Sequence, residues 1–142
     1  MYLDHAVLWV NDVKQALTFY TDILGLEAIR AEEYVEGKVR FPSVRLNENT
    51  IFDLMDKNEL LPLVQKFTGG DNVGGAPLNH LCLAMSYDEY KAISTRLVEC
   101  GVTPRPGGEN VFGAQGYAVR SVYFNDPSDN VIEIRYYEEA AA

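Results

Sequence analysis

Histidine is scarce in this chain: two residues among 142, beside two cysteines and one tryptophan. Two cysteines are too few for the disulfide framework that holds small secreted domains together. Neither Cys82 nor Cys100 belongs to a CxxC pair, and both read as small buried or half-buried thiols. Basic side chains are also few, 12 against 21 acidic ones, for a net charge of −9. With no Lys/Arg stripe to neutralise phosphates, nucleic acid is excluded as a partner. No apolar run approaches the roughly 20 residues needed to cross a bilayer, so no membrane span is expected. The N-terminus lacks a basic segment followed by an apolar one, so no signal peptide is expected and cytoplasm is the expected location. What is present, 47% apolar and 23% charged residues over this length, suits one globular domain, 1–142, with a sizeable core.

The two histidines sit in the same local phrase. Leu3-Asp4-His5-Ala6-Val7-Leu8 opens the chain, and Leu78-Asn79-His80-Leu81-Cys82-Leu83 recurs 75 residues later. Each phrase reads as the start of a strand, Tyr2 to Val10 and Leu78 to Met85. A helical pattern follows in each half. Val13, Ala16, Leu17, Tyr20, Ile23 and Leu24 are spaced to line one helix face behind an Asn11-Asp12 N-cap, with Gly25 as C-cap. Tyr90, Ile93, Leu97 and Val98 do the same after Ser86, with Gly101 as cap. Further strands are expected at 26–33, 39–46 and 50–55, then at 102–105 (ahead of a Pro-Gly-Gly loop), 117–125 and 131–136. Asp126 to Asn130 makes the last turn, with Asn available for left-handed geometry.

The order is therefore α+β, two βαβββ modules at about 1–56 and 78–137 joined by a loop at about 57–77. Two such curved sheets side by side would form a half-barrel cleft with the helices outside. A short helix is expected from Asp56 to Phe67. The Gly-rich stretch 69–75 reads as linker or mobile loop rather than phosphate cradle, because no Lys-Ser/Thr follows it.

Each half also places one acid on its last strand: Asp53 in Ile51-Phe52-Asp53-Leu54-Met55 and Glu133 in Val131-Ile132-Glu133-Ile134. If first and last strands of each half are neighbours, each histidine faces an acid across the sheet. Histidine and carboxylate together suit Zn, Fe(II), Mn, Ni or Co. A carboxylate between apolar neighbours is costly to bury unless paired or metal-bound. The alternative for each acid taken alone is a solvated strand face. His5, His80, Glu133 and Asp53 are thus the candidate ligands of one divalent metal ion. Arg45 and Arg120 lie at comparable places in the two halves and would clamp an anionic substrate, or simply offset an acidic surface. Tyr123 and Ile51 are further candidate pocket walls, and Trp9 is read as core.

Several phrases resemble the vicinal oxygen chelate superfamily, which includes glyoxalase I, fosfomycin-modifying enzymes, extradiol dioxygenases, methylmalonyl-CoA epimerase and bleomycin-binding proteins. They are Leu3-Asp4-His5, the stretch from Ala16 to Leu26, Leu78-Asn79-His80, and the close from Phe124 to Ile134. The resemblance covers nearly the whole chain and implies the glyoxalase/bleomycin-resistance/dioxygenase fold. It carries the ligand positions onto His5, His80 and Glu133. The first-half acid position falls on Asp53, where glyoxalase I-like members usually hold Glu; Asp is one methylene shorter.

The implied chemistry is chelation of substrate oxygens by a metal acting as Lewis acid. Glu133 and Asp53 are the catalytic candidates, with Asp53 as proton acceptor if it binds the metal loosely. A glyoxalase I-like lyase, isomerase or transferase is the first expectation. An Fe(II) extradiol-type dioxygenase is the second, with Tyr117 or Tyr123 in place of the third histidine this chain lacks. A non-catalytic small-molecule or drug-binding protein is the third. A homodimer is expected because relatives often pair.

Overall fold

The computed structural model describes residues 3, 5–68, 80–113 and 115–138. The Gly-rich stretch 69–75, the phrase residues Asp4, Leu78 and Asn79, and the last four residues lie outside them. The fold is mixed α+β and consists of two compact units, Met1–Pro77 and Leu78–Ala142, each carrying one four-stranded sheet.

In the first unit β1 (His5–Val10) leads into helix α1 (Val13–Thr18). The Asp12 carboxylate caps that helix by accepting from the Gln15 backbone N–H at 2.9 Å. The helix widens into a single π turn over Phe19–Ile23. β2 (Glu27–Ile29), a short helix α2 (Ala31–Val35), β3 (Ser43–Arg45) and β4 (Ile51–Asp56) follow, and α3 (Lys57–Thr68) closes the unit. The sheet order is β1-β4-β3-β2, with β1 and β4 parallel.

The second unit repeats that order. β5 (Leu81–Ala84), α4 (Tyr87–Glu99), β6 (Arg105–Gly113), β7 (Gly116–Asn125) and β8 (Val131–Tyr136) form a sheet in the order β5-β8-β7-β6. β5 and β8 are again parallel. α4 starts with a reciprocal cap: Glu89 N–H donates to Ser86 Oγ at 3.3 Å, and Ser86 N–H donates to Glu89 Oε2 at 3.0 Å. Gly25 and Gly101 occupy equivalent helix exits with φ of 71° and 77°, a left-handed geometry that a Cβ opposes.

Each sheet has one apolar face. Phe52 and Leu54, with Val44 beside them, are buried on the α1 side, where the Tyr20 ring meets Phe52 edge-on at 6.1 Å. Ile132, Ile134 and Phe124 are buried on the α4 side with Ile93 and Leu97. By the two-residue period the acids Asp53 and Glu133 lie on the opposite faces.

Four local expectations are corrected. The strand expected over 26–33 stops at Ile29, because Arg30 takes φ 59° and turns the chain into α2. There the Arg30 guanidinium lies over the Phe41 ring at 4.9 Å. The strand expected over 39–46 is only Ser43–Arg45, since Pro42 has no N–H to give the ladder; its carbonyl still accepts from Leu54 N at 3.0 Å. In the second unit β6 runs through the Pro-Gly-Gly segment that was expected to be a loop. β6 is the edge strand, where proline is tolerated, and a bulge between Pro106 and Gly108 absorbs the irregularity. In the last turn the left-handed residue is Asp129, with φ 65°, rather than an Asn.

Candidate metal centre

The parallel pairings set where each histidine stands against its acid. In the first unit His5 is level with Ile51, and Asp53 is level with Val7. His5 and Asp53 are therefore diagonal neighbours, one two-residue step of about 7 Å along the strand. In the second unit Leu81 is level with Ile132 and Cys82 with Glu133, so continuing that register places His80 beside Val131. His80 and Glu133 stand on the same diagonal. The two halves share one geometry, offset by two residues from the direct facing that the sequence led us to expect.

Side-chain length then separates them. Glu133 spans its diagonal: its Oε2 lies 3.1 Å from His80 Nε2. Asp53 is one methylene shorter and turns to the adjacent strand, where it accepts a 2.6 Å hydrogen bond from Ser43 Oγ. Ser43 is level with Asp53 across β3 and β4, so the hydroxyl is placed for that bond. Asp53 is 7% exposed and His5 is exposed.

Glu133 has no exposed surface, yet several neighbours address it. Arg135, two residues on and therefore on the same face, donates from Nη2 to Oε1 at 2.7 Å and is itself buried. Burial alone pushes the Glu133 carboxyl up; Arg135, Ser121 and Cys82 outweigh it and hold the group below its ordinary value. For Arg135, burial opposes the charge while Glu133 and Tyr137 outweigh it and raise the guanidinium. Burial first, then the approach of Glu133, pushes the Cys82 thiol up to about 11. Burial and then Glu133 also raise the Tyr123 hydroxyl. The Tyr123 ring sits edge-on to the His80 imidazole at 5.2 Å and limits its rotation.

One valence of this cluster is unsatisfied. Oε2 of Glu133 is buried and completes no well-aligned hydrogen bond, although Ser121, Cys82 and Tyr123 approach the carboxylate and His80 Nε2 lies 3.1 Å from this oxygen. The Ser121 hydroxyl is likewise buried and approaches the carboxylate without a well-aligned bond. A buried carboxylate oxygen without a well-aligned donor is costly, and a cation between Oε2 and Nε2 would satisfy it. Two ligands about 2.1 Å from one metal stand about 3.0 Å apart at a right angle and about 3.4 Å apart at a tetrahedral angle. The pair at 3.1 Å fits that requirement. It is only a pair: among the described residues no group of three or more His, Cys, Asp or Glu is placed to hold an ion.

The remaining expected residues divide by face. Tyr123 is level with Glu133 and joins the cluster. Arg45 is level with Ile51, on the Asp53 face, but its guanidinium donates to the carbonyls of Asn47 at 3.2 Å and Glu48 at 3.4 Å, closing the β3–β4 turn. Arg120 is level with Tyr136, on the α4 face, and pairs with Glu109 at 2.7 Å. The two arginines are therefore not equivalent, and Arg120 does not share a face with Glu133. Sequence reasoning missed Arg135, Ser121 and Cys82; the two-residue period from Glu133, Tyr123 and His80 was the signal that reaches all three.

Gly107 supports this cluster from β6. A Cβ there would overlap Ser121 Oγ and come within 2.8 Å of the Tyr123 ring. Gly107→Ala is expected to cost about 1–3 kcal/mol through overpacking and to push Tyr123 away from His80. Urea unfolding and the His80 ring proton shifts report the two effects. An unchanged midpoint with unchanged shifts would refute the cradle.

The profile of the Glyoxalase/Bleomycin resistance protein/Dioxygenase superfamily matches residues 2–134. The virulence protein STM3117 of Salmonella typhimurium is 26% identical over 135 residues, 95% of this chain and 83% of that protein. Its crystal structure superposes with a TM-score of 0.69 at 21% identity, covering 96% of this chain and 97% of that one. TnmS3, an antibiotic binding protein from Streptomyces sp. CB03234, gives 0.67 at 22% identity over 97% of each chain. A lactoylglutathione lyase from Agrobacterium tumefaciens gives 0.61 at 19% identity, covering 95% of this chain and 92% of that one. On the profile match across nearly its whole length, the chain belongs to the Glyoxalase/Bleomycin resistance protein/Dioxygenase superfamily.

Proposed function

We propose that this protein is a divalent-metal-dependent enzyme of the glyoxalase type, acting as a lyase, isomerase or transferase on a small molecule that offers two oxygens. The observation that carries the reading is the buried Oε2 of Glu133, which completes no well-aligned hydrogen bond, facing His80 Nε2 at 3.1 Å. His80 and Glu133 would hold the ion; the resemblance assigns His5 as a further ligand and Asp53 as ligand or proton acceptor. When bound, a divalent ion polarises substrate oxygens as a Lewis acid. The chain's own residues do the rest. Tyr123 fixes the imidazole plane, and Arg135 fixes the carboxylate by holding Oε1, which leaves Oε2 to face the ligand position. Asp53, steadied by Ser43, is the first unit's group for receiving a proton.

One observation favours a second reading. Arg135 already supplies a positive charge to Glu133, which lowers the need for a metal. TnmS3, of the same fold, is described as antibiotic-binding. A metal-free small-molecule binder would use the same face.

Metal analysis separates the two. Purified protein, after incubation with Zn, Ni, Mn, Co or Fe(II) and desalting, is expected to retain about one ion per chain. His80→Ala is expected to lose it, with affinity reduced more than about 100-fold, beyond the range seen for lost supporting contacts. A protein that retains no ion from any of the five sinks the enzyme reading and leaves the binder. Fe(II)-dependent dioxygen uptake would instead favour ring-cleaving chemistry, for which the Tyr123 hydroxyl is the nearby acid.

A further inference from the structure

A cavity of about 400 Å³ lies in the second unit at the end of β8, away from the Glu133 carboxylate, and is lined by Tyr87, Asp88, Val119, Tyr136, Tyr137 and Glu138 with Ser86. Three of these are tyrosines: Tyr87 from the first turn of α4, Tyr136 at the end of β8 and Tyr137 just after it. Two of these rings are connected and back onto a third. Tyr87 meets Tyr136 at 5.0 Å, and Tyr136 meets the buried Tyr90 behind it at 4.9 Å. The inner ring is fixed by core packing, whereas Tyr87 at the mouth is 51% exposed. A second cavity of about 340 Å³ shares Val119, Tyr137 and Glu138 and adds Tyr117, 68% exposed. The two cavities adjoin at the strand end, with an exposed aromatic group beside each.

The charged residues that line them are acidic. Asp88 and Glu138 line the first cavity, and among the described lining residues of either cavity none is basic. Arg120, whose charge reaches Tyr136 and Tyr90, is tied to Glu109 at 2.7 Å. A chain with net charge −9 adds a general attraction for cations. Aromatic faces present negative quadrupoles, and a cation against them is held more strongly as it is desolvated. A bare metal ion would find only two carboxylates here and no other strong ligand. An anion would meet both carboxylates. An organic ammonium with an apolar body matches both the rings and the acids, and 400 Å³ falls in the range of small-ligand sites.

We propose that this tyrosine-lined groove is a binding site for a small organic cation, an alkylated or protonated amine, distinct from the Glu133 cluster and touching it only where Tyr137 meets Arg135. The probe is benzyltrimethylammonium, titrated into the full chain by calorimetry. Its neutral carbon isostere, neopentylbenzene, is followed by NMR shifts of the tyrosine rings. The cation is expected to bind about tenfold or more tightly than the isostere, to weaken with added salt, and to shift Tyr87 and Tyr136. Tyr87→Ala, at the exposed mouth, and the double variant Asp88→Asn/Glu138→Gln are each expected to weaken it severalfold. Glu133→Gln, which reaches the groove only through Arg135 and Tyr137, is expected to change it far less than Tyr87→Ala does. A primary-amine probe, benzylamine, then tells alkylated from simply protonated cations by rank order. Equal binding of cation and isostere, no binding of any probe, or binding lost in Glu133→Gln but kept in Tyr87→Ala would overturn the proposal. Circular dichroism of each variant separates loss of a contact from loss of the fold.

Discussion

Arg135→Met is expected to lower the unfolding free energy by about 3–5 kcal/mol at neutral pH, the cost of breaking a buried ion pair from one side. The side chain removed is buried, and the partner it leaves has no exposed surface at all. The loss should depend on pH in a definite direction. In the native chain the Glu133 carboxyl lies below its ordinary value, so its contribution is present above the unfolded pKa and fades as the pH falls through the lower folded value. Without Arg135 the largest remaining influence is burial, which pushes the carboxyl up. The folded variant then takes up a proton as the pH falls through the carboxylate range, and its deficit against the native protein narrows toward acid. Glu133→Gln added to Arg135→Met should recover most of the loss, because no uncompensated charge remains. Urea unfolding at several pH values gives all three results. A deficit under about 1 kcal/mol, or one that does not change with pH, would show that Arg135 does not neutralise Glu133. The same variant tests the metal reading: added Zn should raise the Arg135→Met midpoint and have little effect on the double variant.

Cys82 is expected to be alkylated by iodoacetamide about 100-fold more slowly in the folded protein than in the same chain unfolded in urea, at pH 8. The thiolate is the nucleophile. Raising the thiol from its ordinary 9.0 to about 11 removes two powers of ten of thiolate at that pH. The residue keeps exposed surface even though its sulfur is partly desolvated beside Glu133, so blocked access alone does not produce so large a difference. The sign follows from the neighbour: burial and the negative Glu133 both disfavour a second negative charge. Glu133→Gln removes the second of these and should speed folded-state alkylation severalfold. Peptide mass spectrometry of the Cys82 peptide against pH is the measurement. Folded and unfolded rates that agree within a factor of three would refute it.

Periodicity carried most of the architecture. The repeated histidine phrase, the two helix patterns and the acids on the last strands pointed to two like modules, and the sheets β1-β4-β3-β2 and β5-β8-β7-β6 have that common order. Where the chain departs from its pattern, a single residue decides. Arg30 reverses the backbone, Pro42 withholds an N–H, and Pro106 survives in a strand because that strand is an edge. The site was legible in composition and less so in geometry. His80, Glu133 and Tyr123 meet as a group. Asp53 does not repeat the histidine contact of Glu133, because one methylene decides whether the diagonal is spanned. Arg120 was matched to Arg45 by its place along the chain, whereas faces follow parity: Ser121 and Tyr123 share the Glu133 side, so Arg120 cannot. Arg135 was legible by the same count of two. It escaped notice because a charged residue so near the chain end reads as solvated, and its burial is a tertiary fact.

The Asp126–Asn130 turn now acquires a role beyond reversing the chain. Asp126 is buried and its carboxylate accepts hydrogen bonds from Ser128 N at 2.8 Å, Asn130 N at 2.9 Å and Asn130 Nδ2 at 2.9 Å. Asp126 N–H in turn donates to the Asn130 carbonyl at 2.9 Å. The loop is clamped at a fixed count of residues between β7 and β8. In a strand with period two, a slip of one residue exchanges the faces. Glu133 and Arg135 would enter the apolar layer against α4, while Ile132 and Ile134 would replace them beside His80. The turn works as the phase setting of the sheet: a carboxylate that never approaches the cluster determines which side of β8 its chemistry is written on.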